Sequence, residues 1–292
     1  MKDKKRSLGD EEHTLEGEEM VVKSSFQMGE FSNVGKFISE ISQILTESMH
    51  LLLFATIEGL SGNDKHTLLF LKMHDAKFHA LGKMTTKGSY VLIDLHKYNS
   101  YNVRAKFKDF GFVNYSLSES IDYSREDHAT ISALFGLIEN ECSRATSEFS
   151  HRIIYSYLEI LLTVTLRAYT TFFRERRDAT REVDTKFSML CEDVSMNRSV
   201  TNPELPSMDN FAGKLGFTKY YLNDLSKALY GRTAQDRIEE QIIVQAKKLL
   251  ADTDGSVAEI AYQIGFTEPQ MLNRLFKKRT GKTPLEYRIS LV

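Results

Sequence analysis

The chain has 292 residues and a mass of 33.5 kDa, and this length predicts about two domains. Hydrophobic residues make up 41% and charged residues 27% of the chain, which excludes a wholly disordered, collagenous or membrane-embedded protein. The formal net charge of −2 excludes a basic surface over the whole chain, so any surface for nucleic acid must be local.

Residues 1–22 predict a mobile charged leader, because a basic run is followed by an acidic run without the apolar segment of a secretory signal. The most apolar stretch, Ile153 to Tyr169, is interrupted by Glu159 and Arg167 and does not predict a membrane span. The two cysteines form neither a CxxC pair nor a zinc-ligand run, as is typical of a reducing compartment. We therefore expect a cytoplasmic protein that does not associate with membranes.

A domain of short strands and helices is predicted over residues 23–178. Apolar side chains recur at helical spacing from Val34 to Leu45, which predicts a helix ahead of the strands. Four short apolar segments bounded by glycines predict a small antiparallel β-barrel or sandwich. These segments are Leu51–Ile57, Thr67–Met73, Ser89–Leu95 and Phe110–Tyr115.

Two helices are predicted after the strands. One carries an apolar stripe from Ile131 to Cys142, and the longer second helix, Phe149 to Tyr169, is apolar on more than one face. The extra apolar surface can be buried against a second subunit, which predicts a homodimer. The alternative is that this helix packs across the mouth of the barrel, and the sequence favours neither.

The C-terminal domain, residues 179–292, is predicted to be all-α and contains a repeated sequence. Its boundary is placed near Arg174 to Asp184, a densely charged stretch with almost no apolar periodicity. Gly216-Phe217-Thr218 recurs as Gly265-Phe266-Thr267, and one residue is inserted early in the second copy. The register then pairs Leu222, Asn223, Leu225 and Gly231 with Leu272, Asn273, Leu275 and Gly281.

Each copy predicts a helix-turn-helix unit, over residues 208–229 and 257–280. Each turn has a glycine that permits a left-handed backbone and a threonine that can cap the second helix. These residues are Gly216 and Thr218 in the first copy, and Gly265 and Thr267 in the second, where Gln270 would complete a capping box.

A single helix is predicted to join the two units. Apolar side chains share one face from Ile238 to Leu250, Asp254-Gly255 would end this helix, and Ser256 with Glu259 predicts a capping box for the next one. Two helix-turn-helix units on one rigid helix are typical of a DNA-binding domain, because each second helix can enter a major groove.

The second copy carries a continuous signature, namely Ile260-Ala261, Gly265-Phe266, Arg274, Phe276-Lys277, Gly281, Thr283-Pro284 and Tyr287-Arg288. This signature resembles the AraC/XylS family of bacterial transcription regulators, and the resemblance extends from about Phe187 to Val292. It implies an α+β protein in which a cupin-like barrel and a helix pair for dimerisation precede the all-α DNA-binding domain. It also implies promoter DNA and RNA polymerase as partners, and activation of transcription.

Three side chains of the second recognition helix are predicted to contact bases. The apolar residues of this helix should pack inward, which leaves Gln270, Met271 and Arg274 on the opposite side. Arg274 can bond bidentately to guanine, Gln270 can pair with adenine, and Met271 can contact a thymine methyl group. The family resemblance implies the same three positions. Alternatively, Gln270 only completes a helix cap and Arg274 only bridges a phosphate or an acid. The inward residues are Leu272, Leu275 and Phe276.

In the first copy, Tyr220, Asn223 and Asp224 are the predicted base-contacting residues. Asp224 stands where the second copy has Arg274, and a carboxylate is repelled by phosphate and suits only a cytosine amino group or a cation. Ser226 replaces an aromatic residue of the second copy, so the core of the first unit is thinner. We expect the first unit to contribute less sequence specificity.

Basic and polar side chains beside both recognition helices predict contacts to DNA phosphates. From Pro269 onward, six basic residues stand against a single acid, Glu286. The alternative is an ordinary solvated helix face. The predicted phosphate contacts are Lys219, Lys227, Asn273, Lys277, Lys278 and Lys282.

An enzyme is the competing class, since a barrel with several histidines could bind a metal. The histidines His66, His74, His79 and His96 lack an HxH pair and a following glutamate, and no catalytic motif is present. We therefore predict no catalytic residue, metal or cofactor, and a DNA-binding regulator whose N-terminal domain binds a small-molecule effector or dimerises. The alternatives are an N-terminal domain that binds a protein partner or only dimerises, and a metal-dependent cupin enzyme fused to a DNA-binding domain.

Overall fold

The structure is a computed structural model that describes residues 26–44, 51–58, 66–72, 81, 86–94, 110–144, 148–175, 177–196 and 207–291. The predicted charged leader, residues 1–22, lies outside these described residues. The chain divides into two compact units, Met1–Ala168 and Tyr169–Val292. Among the helices in the described ranges, none is long and apolar enough to cross a membrane.

The first unit contains a four-stranded antiparallel sheet with the strand order β1-β4-β2-β3. Strands β2 to β4 confirm three predicted segments, whereas β1 lies outside them because Gly29 interrupts its short alternating pattern. The fourth predicted strand, Phe110–Tyr115, is wrong, since Gly111–Asn114 forms a 3₁₀ turn and a short apolar run does not distinguish the two. The strands are β1 (Phe26–Phe31), β2 (Leu51–Glu58), β3 (His66–Lys72) and β4 (Gly88–Asp94).

Both faces of this sheet are covered. In the strand register, Phe70 of β3 and Tyr90 of β4 point to opposite faces, and both are buried. Helix α1 (Val34–Ile44) confirms the predicted helix ahead of the strands. On one face of the sheet, the ring of Tyr90 lies 4.5 Å from that of Phe37 in α1. On the other face, the ring of Phe70 lies 5.0 Å from that of Phe112. The described strands therefore form one open, covered sheet, and its closure into a barrel stays a prediction.

Helices α2 (Arg125–Cys142) and α3 (Glu148–Glu175) confirm the predicted helix pair. Leu161 of α3 is completely buried, whereas Phe149 is 70% and Ile160 is 47% exposed. These exposed residues lie three helical turns apart and share one side of α3 with Ile153, which is 37% exposed. Most of the apolar excess predicted for this helix thus lies on one exposed side, while Leu166, which is 40% exposed, lies on a different side.

The second unit is helical, and its first helix begins in the stretch predicted to separate the domains. Residues 174–175 end α3 and residues 177–184 lie in the first half of α4, so the described part of this charged stretch is helical. The domain limits themselves stay predictions. The helices are α4 (Arg177–Met196), α5 (Met208–Leu215), α6 (Lys219–Tyr230), α7 (Ala234–Asp252), α8 (Val257–Ile264), α9 (Pro269–Thr280) and α10 (Pro284–Ile289).

Candidate nucleic-acid interface

The two predicted helix-turn-helix units are present, as α5 with α6 and as α8 with α9. Gly216 and Gly265 end the first helix of each unit in the left-handed conformation, with φ of 74° and 101°. The amide after each glycine donates to the carbonyl of Ala212 or Ala261, at 3.0 Å in both units. This pattern is a Schellman motif, and it gives the two turns the same hydrogen bonds.

The caps of the two recognition helices differ. Thr218 caps α6, because its hydroxyl accepts a hydrogen bond from the backbone amide three residues later at 3.2 Å. The predicted capping box of Thr267 and Gln270 is wrong, since Glu268 is the N-cap of α9 and makes no side-chain cap hydrogen bond. The inserted residue moves Thr267 outside the helix, and Pro269 starts α9 without an amide that would need a partner. Gln270 is therefore not held in a cap.

Helix α7 joins the two units and ends at Asp252, just before the predicted stop at Asp254-Gly255. Arg288 of α10 donates hydrogen bonds to two carbonyl oxygens at the end of α7, both at 3.2 Å. Ser256 and Glu259 form the predicted capping box of α8, and the backbone and side-chain hydrogen bonds from Ser256 lower the pKa of the Glu259 carboxyl. The buried face of α7 includes Ile238, Ile242, Ala246 and Leu250.

The exposed side of α9 carries the predicted base-contacting residues. Leu272 and Phe276 are completely buried, and at about 100° per residue their mean direction lies opposite Arg274. Within the described residues, no salt bridge engages the Arg274 guanidinium. Leu275, predicted to pack inward, is only half-buried. The exposed residues on either side of Arg274 include Gln270 and Met271.

Half of the basic run after Pro269 is directed at other helices of the unit. Arg279 binds carboxylates of α7, and Arg288 binds the last carbonyls of the same helix. The ammonium of Lys278 lies 3.5 Å from Glu239, which is only 15% exposed. The charge available to DNA is therefore smaller than the sequence count indicates.

Three other predicted phosphate-contacting residues, Asn273, Lys277 and Lys282, are exposed. The Glu286 carboxyl caps α10 at a short distance in sequence from them. The backbone hydrogen bond from Thr283 lowers the pKa of Glu286 most, and the charges of Lys277 and Lys282 lower it further. These two lysines thus form a small positive region at the end of α9.

The charged residues of α6 are engaged with one another or with α5. The Lys219 ammonium lies 2.9 Å from a carboxylate oxygen of Asp209, and hydrogen bonding to this carboxylate raises the pKa of Lys219. The Lys227 ammonium lies 3.7 Å from Asp224, whose side chain is only 15% exposed. The outer side of α6 therefore offers less unpaired positive charge than that of α9.

The other two predicted base-contacting residues of α6 have different surroundings. Tyr220 is 40% exposed, and the ammonium of Lys219 lies 5.7 Å from the centre of its ring. Asn223 is half-buried, and its side-chain oxygen accepts a hydrogen bond from the backbone amide of Ala234 at 3.2 Å. Asn223 thus connects α6 to the start of α7.

One polar cluster was not among the predicted residues. The Arg237 guanidinium lies 2.6 Å from Asp184 and 2.7 Å from the hydroxyl of Ser188, between the rings of Phe187 and Tyr230 at 4.8 and 4.6 Å. The hydroxyl of Tyr230 also donates to Asp184, which raises the pKa of this tyrosine. The members come from α4, α6 and α7, so no local sequence pattern marks the cluster.

Two helix-turn-helix units on one shared helix, each with a buried inner side and a polar outer side, define the double helix-turn-helix class of domain. Residues 211–290 match the family described as helix-turn-helix domain. The probable transcription factor PqrA of Proteus vulgaris is 31% identical over 81 residues, which are 28% of this chain and 66% of that protein. The arabinose operon regulatory protein of Escherichia coli strain K12 is 26% identical over 167 residues, which are 57% of this chain and 53% of that protein.

Among solved structures, the C-terminal domain of the two-component response regulator yesN from Fusobacterium nucleatum is 27% identical. It covers 37% of this chain and 98% of that chain, with a TM-score of 0.32. The C-terminal helix-turn-helix domain is similar to those of the AraC/XylS family of bacterial transcription regulators. The match spans less than two thirds of the length of PqrA and of the arabinose operon regulatory protein.

Proposed function

We propose that this protein is a sequence-specific DNA-binding regulator of transcription. The observation that supports this best is the repeated helix-turn-helix unit, because α6 and α9 are both fixed to α7 and both present polar outer sides. Selection of binding sites from random double-stranded DNA with the full chain tests the proposal. Enrichment of a defined sequence is the expected result, and a pool without any enriched sequence would contradict it.

Helix α9 supplies most of the sequence recognition in this proposal. Arg274 points away from the buried side, and no carboxylate of the described ranges holds it, so its guanidinium is available for a bidentate contact to guanine. Gln270 is not part of a helix cap and can pair with adenine, and Met271 can contact a thymine methyl group.

Helix α6 contributes less to specificity in this proposal. Asp224 and Lys227 neutralise each other, and the side-chain oxygen of Asn223 is bonded to the start of α7. Tyr220 is the outward side chain that retains a large exposed surface for base contacts. The first unit then serves mainly to extend the contact along the DNA.

Contacts to phosphates are assigned to both units. Asn273, Lys277 and Lys282 are exposed at α9 and the turn after it, and they are the first candidates. Lys219, Lys227 and Lys278 have carboxylate partners and would exchange them for phosphates on binding.

The N-terminal unit is proposed to be a cupin-like barrel that binds a small-molecule effector or dimerises through α3. The support is the covered sheet and the exposed apolar side of α3. Activation of transcription, contact with RNA polymerase and a cytoplasmic location belong to the same proposal, by resemblance to the family. A unit that binds a protein partner remains the second candidate.

Of the four histidines weighed for a metal, three lie outside the described residues.

The first prediction concerns the geometry of binding. Because one helix connects α6 and α9, one subunit is expected to protect two successive major-groove segments on one side of the DNA, about 10 base pairs apart. Hydroxyl-radical and methylation footprints on the selected site measure this spacing. Protection of only one segment per subunit would show that the first unit does not dock.

The second prediction concerns the proposed dimer. Ile160→Glu places a charge on the exposed side of α3 and should remove about 1.5–3 kcal/mol per subunit, which weakens self-association more than tenfold. Sedimentation equilibrium measures the change, and Leu137→Glu, at a 44% exposed position of α2, is the matched control. A wild-type chain that sediments as a monomer at micromolar concentration would refute the dimer.

A further inference from the structure

The end of the second recognition helix is fixed to α7 by a guanidinium between two carboxylates. Arg279, in the last turn of α9, donates to one oxygen of Glu239 from Nε at 2.9 Å and from Nη2 at 2.5 Å. Its Nη2 also donates to Asp236. Asp236 and Glu239 lie three residues apart on α7, so both carboxylates face the same guanidinium.

Asp236 also forms the cap of α7. Its second oxygen accepts hydrogen bonds from the hydroxyl of Thr233 at 2.6 Å and from the amide of Thr233 at 3.2 Å. The hydrogen bonds from Thr233 and then from Arg279 lower the pKa of Asp236 to about 2. The same carboxylate therefore starts the connecting helix and binds the end of α9. The charges also suit the helix dipoles, since acids lie at the start of α7 and the base at the end of α9.

The end of the first recognition helix meets α7 at the same place. The next residue of α7, Arg237, lies 4.6 Å from the ring of Tyr230, the last residue of α6. Both side chains bind Asp184 of α4. Two consecutive residues in the first turn of α7 thus contact the ends of both recognition helices.

We propose that Arg279 is a positioning residue, which fixes α9 on α7 and thereby sets the spacing between the two DNA segments that one subunit contacts. The inference depends on the proposed DNA-binding function. In the first helix-turn-helix unit, Leu229 occupies the position that Arg279 has in the second. This charged contact therefore belongs to the second helix-turn-helix unit alone. The competing role for Arg279 is a phosphate contact, like that assigned to Lys282.

The experiment compares spacing preferences of the full chain. Affinity is measured on the selected site and on sites with one base pair inserted or deleted between the two contacted segments. The wild-type chain is expected to bind the sites of altered spacing with about 100-fold lower affinity, because two tethered modules gain this factor in affinity only when both contact the DNA. Arg279→Met should reduce this loss to about tenfold, and so should Glu239→Gln, which changes the partner and leaves α9 intact.

Lys282→Met is the matched control. Removal of a phosphate contact weakens binding at every spacing alike, so the ratio between spacings stays that of the wild-type chain. The proposal is wrong if Arg279→Met also lowers affinity equally at all spacings and makes the salt dependence shallower. Arg279 is then a phosphate contact.

A second measurement needs no DNA and separates this proposal from the proposed function. Spin labels at Tyr220→Cys and Gln270→Cys, in the full chain with Cys142→Ser and Cys191→Ser, report the distance between α6 and α9. One narrow distribution is expected with Arg279 present, and a broader one with Arg279→Met or Glu239→Gln. Identical distributions overturn the positioning role, whereas a wild-type chain that selects no DNA sequence overturns only the proposed function.

Discussion

Replacement of Arg237 by methionine is expected to lower the free energy of unfolding of the C-terminal compact unit, Tyr169–Val292, by about 3–5 kcal/mol. Each side chain of the Arg237–Asp184 pair is only 12% exposed, and the substitution leaves the carboxylate buried without its cation. The hydrogen bond to Ser188 and the cation–π contacts with Phe187 and Tyr230 are lost as well. Hydrogen exchange of the α4 and α7 amides measures the change separately from the first unit.

Arg232→Met is the control for this prediction. Arg232 pairs with Glu240 at 2.5 Å, but the two side chains are 49% and 52% exposed. An exposed pair contributes less than about 1 kcal/mol, because solvent screens the charges and both side chains lose conformational entropy. If the α4 and α7 amides of the Arg237→Met variant are as well protected from exchange as those of the Arg232→Met variant, the cluster does not stabilise the docking of α4 on α7.

The repeated units could be predicted from the sequence because their signals are local. Gly216 and Gly265 are required wherever the backbone turns left-handed, and the capping pair of Ser256 and Glu259 acts within one helical turn. The single inserted residue in the second copy was the exception. It moved the N-cap from Thr267 to Glu268, and no residue type at either position signals that shift.

Helix α4 could not be recognised because its buried stripe is half polar. Thr180, Asp184, Phe187 and Cys191 are buried at helical spacing, but two of the four are not apolar. Asp184 can be buried only because Arg237, 53 residues later, provides the counter-charge. A periodicity argument uses neighbouring residues and therefore cannot detect a helix whose burial depends on so distant a partner.

The unpaired positive charge after Pro269 is smaller than the sequence count for the same reason. A sequence count treats every lysine and arginine after Pro269 as exposed, yet Arg279 and Arg288 find their partners on α7, about 40 residues earlier. Lys277 and Lys282 keep the predicted exposed positions because no acid of α7 reaches them among the described residues. Which group a basic side chain binds thus depends on tertiary packing, whereas the side of the helix on which it lies follows from the residue spacing alone.

Arg274→Ala is expected to weaken binding to the selected site by about 1–3 kcal/mol, and to weaken binding to random DNA much less. The structural reason is that Arg274 lies opposite the buried residues Leu272 and Phe276, at the centre of the outer side of α9. Loss of a bidentate contact should relax the preference at one base pair and leave the others unchanged. Competition binding against a set of single-base variants measures this profile.

Lys282→Ala provides the contrast, because Lys282 is exposed and is assigned a phosphate. The substitution should weaken binding to all DNA sequences alike, and it should make the slope of log affinity against log salt concentration shallower by about one unit. Lys278 is unsuitable for this comparison, since Glu239 competes with DNA for its charge. If Arg274→Ala behaves like Lys282→Ala, Arg274 contacts the backbone, and specificity must come from Gln270, Met271 or sequence-dependent DNA shape.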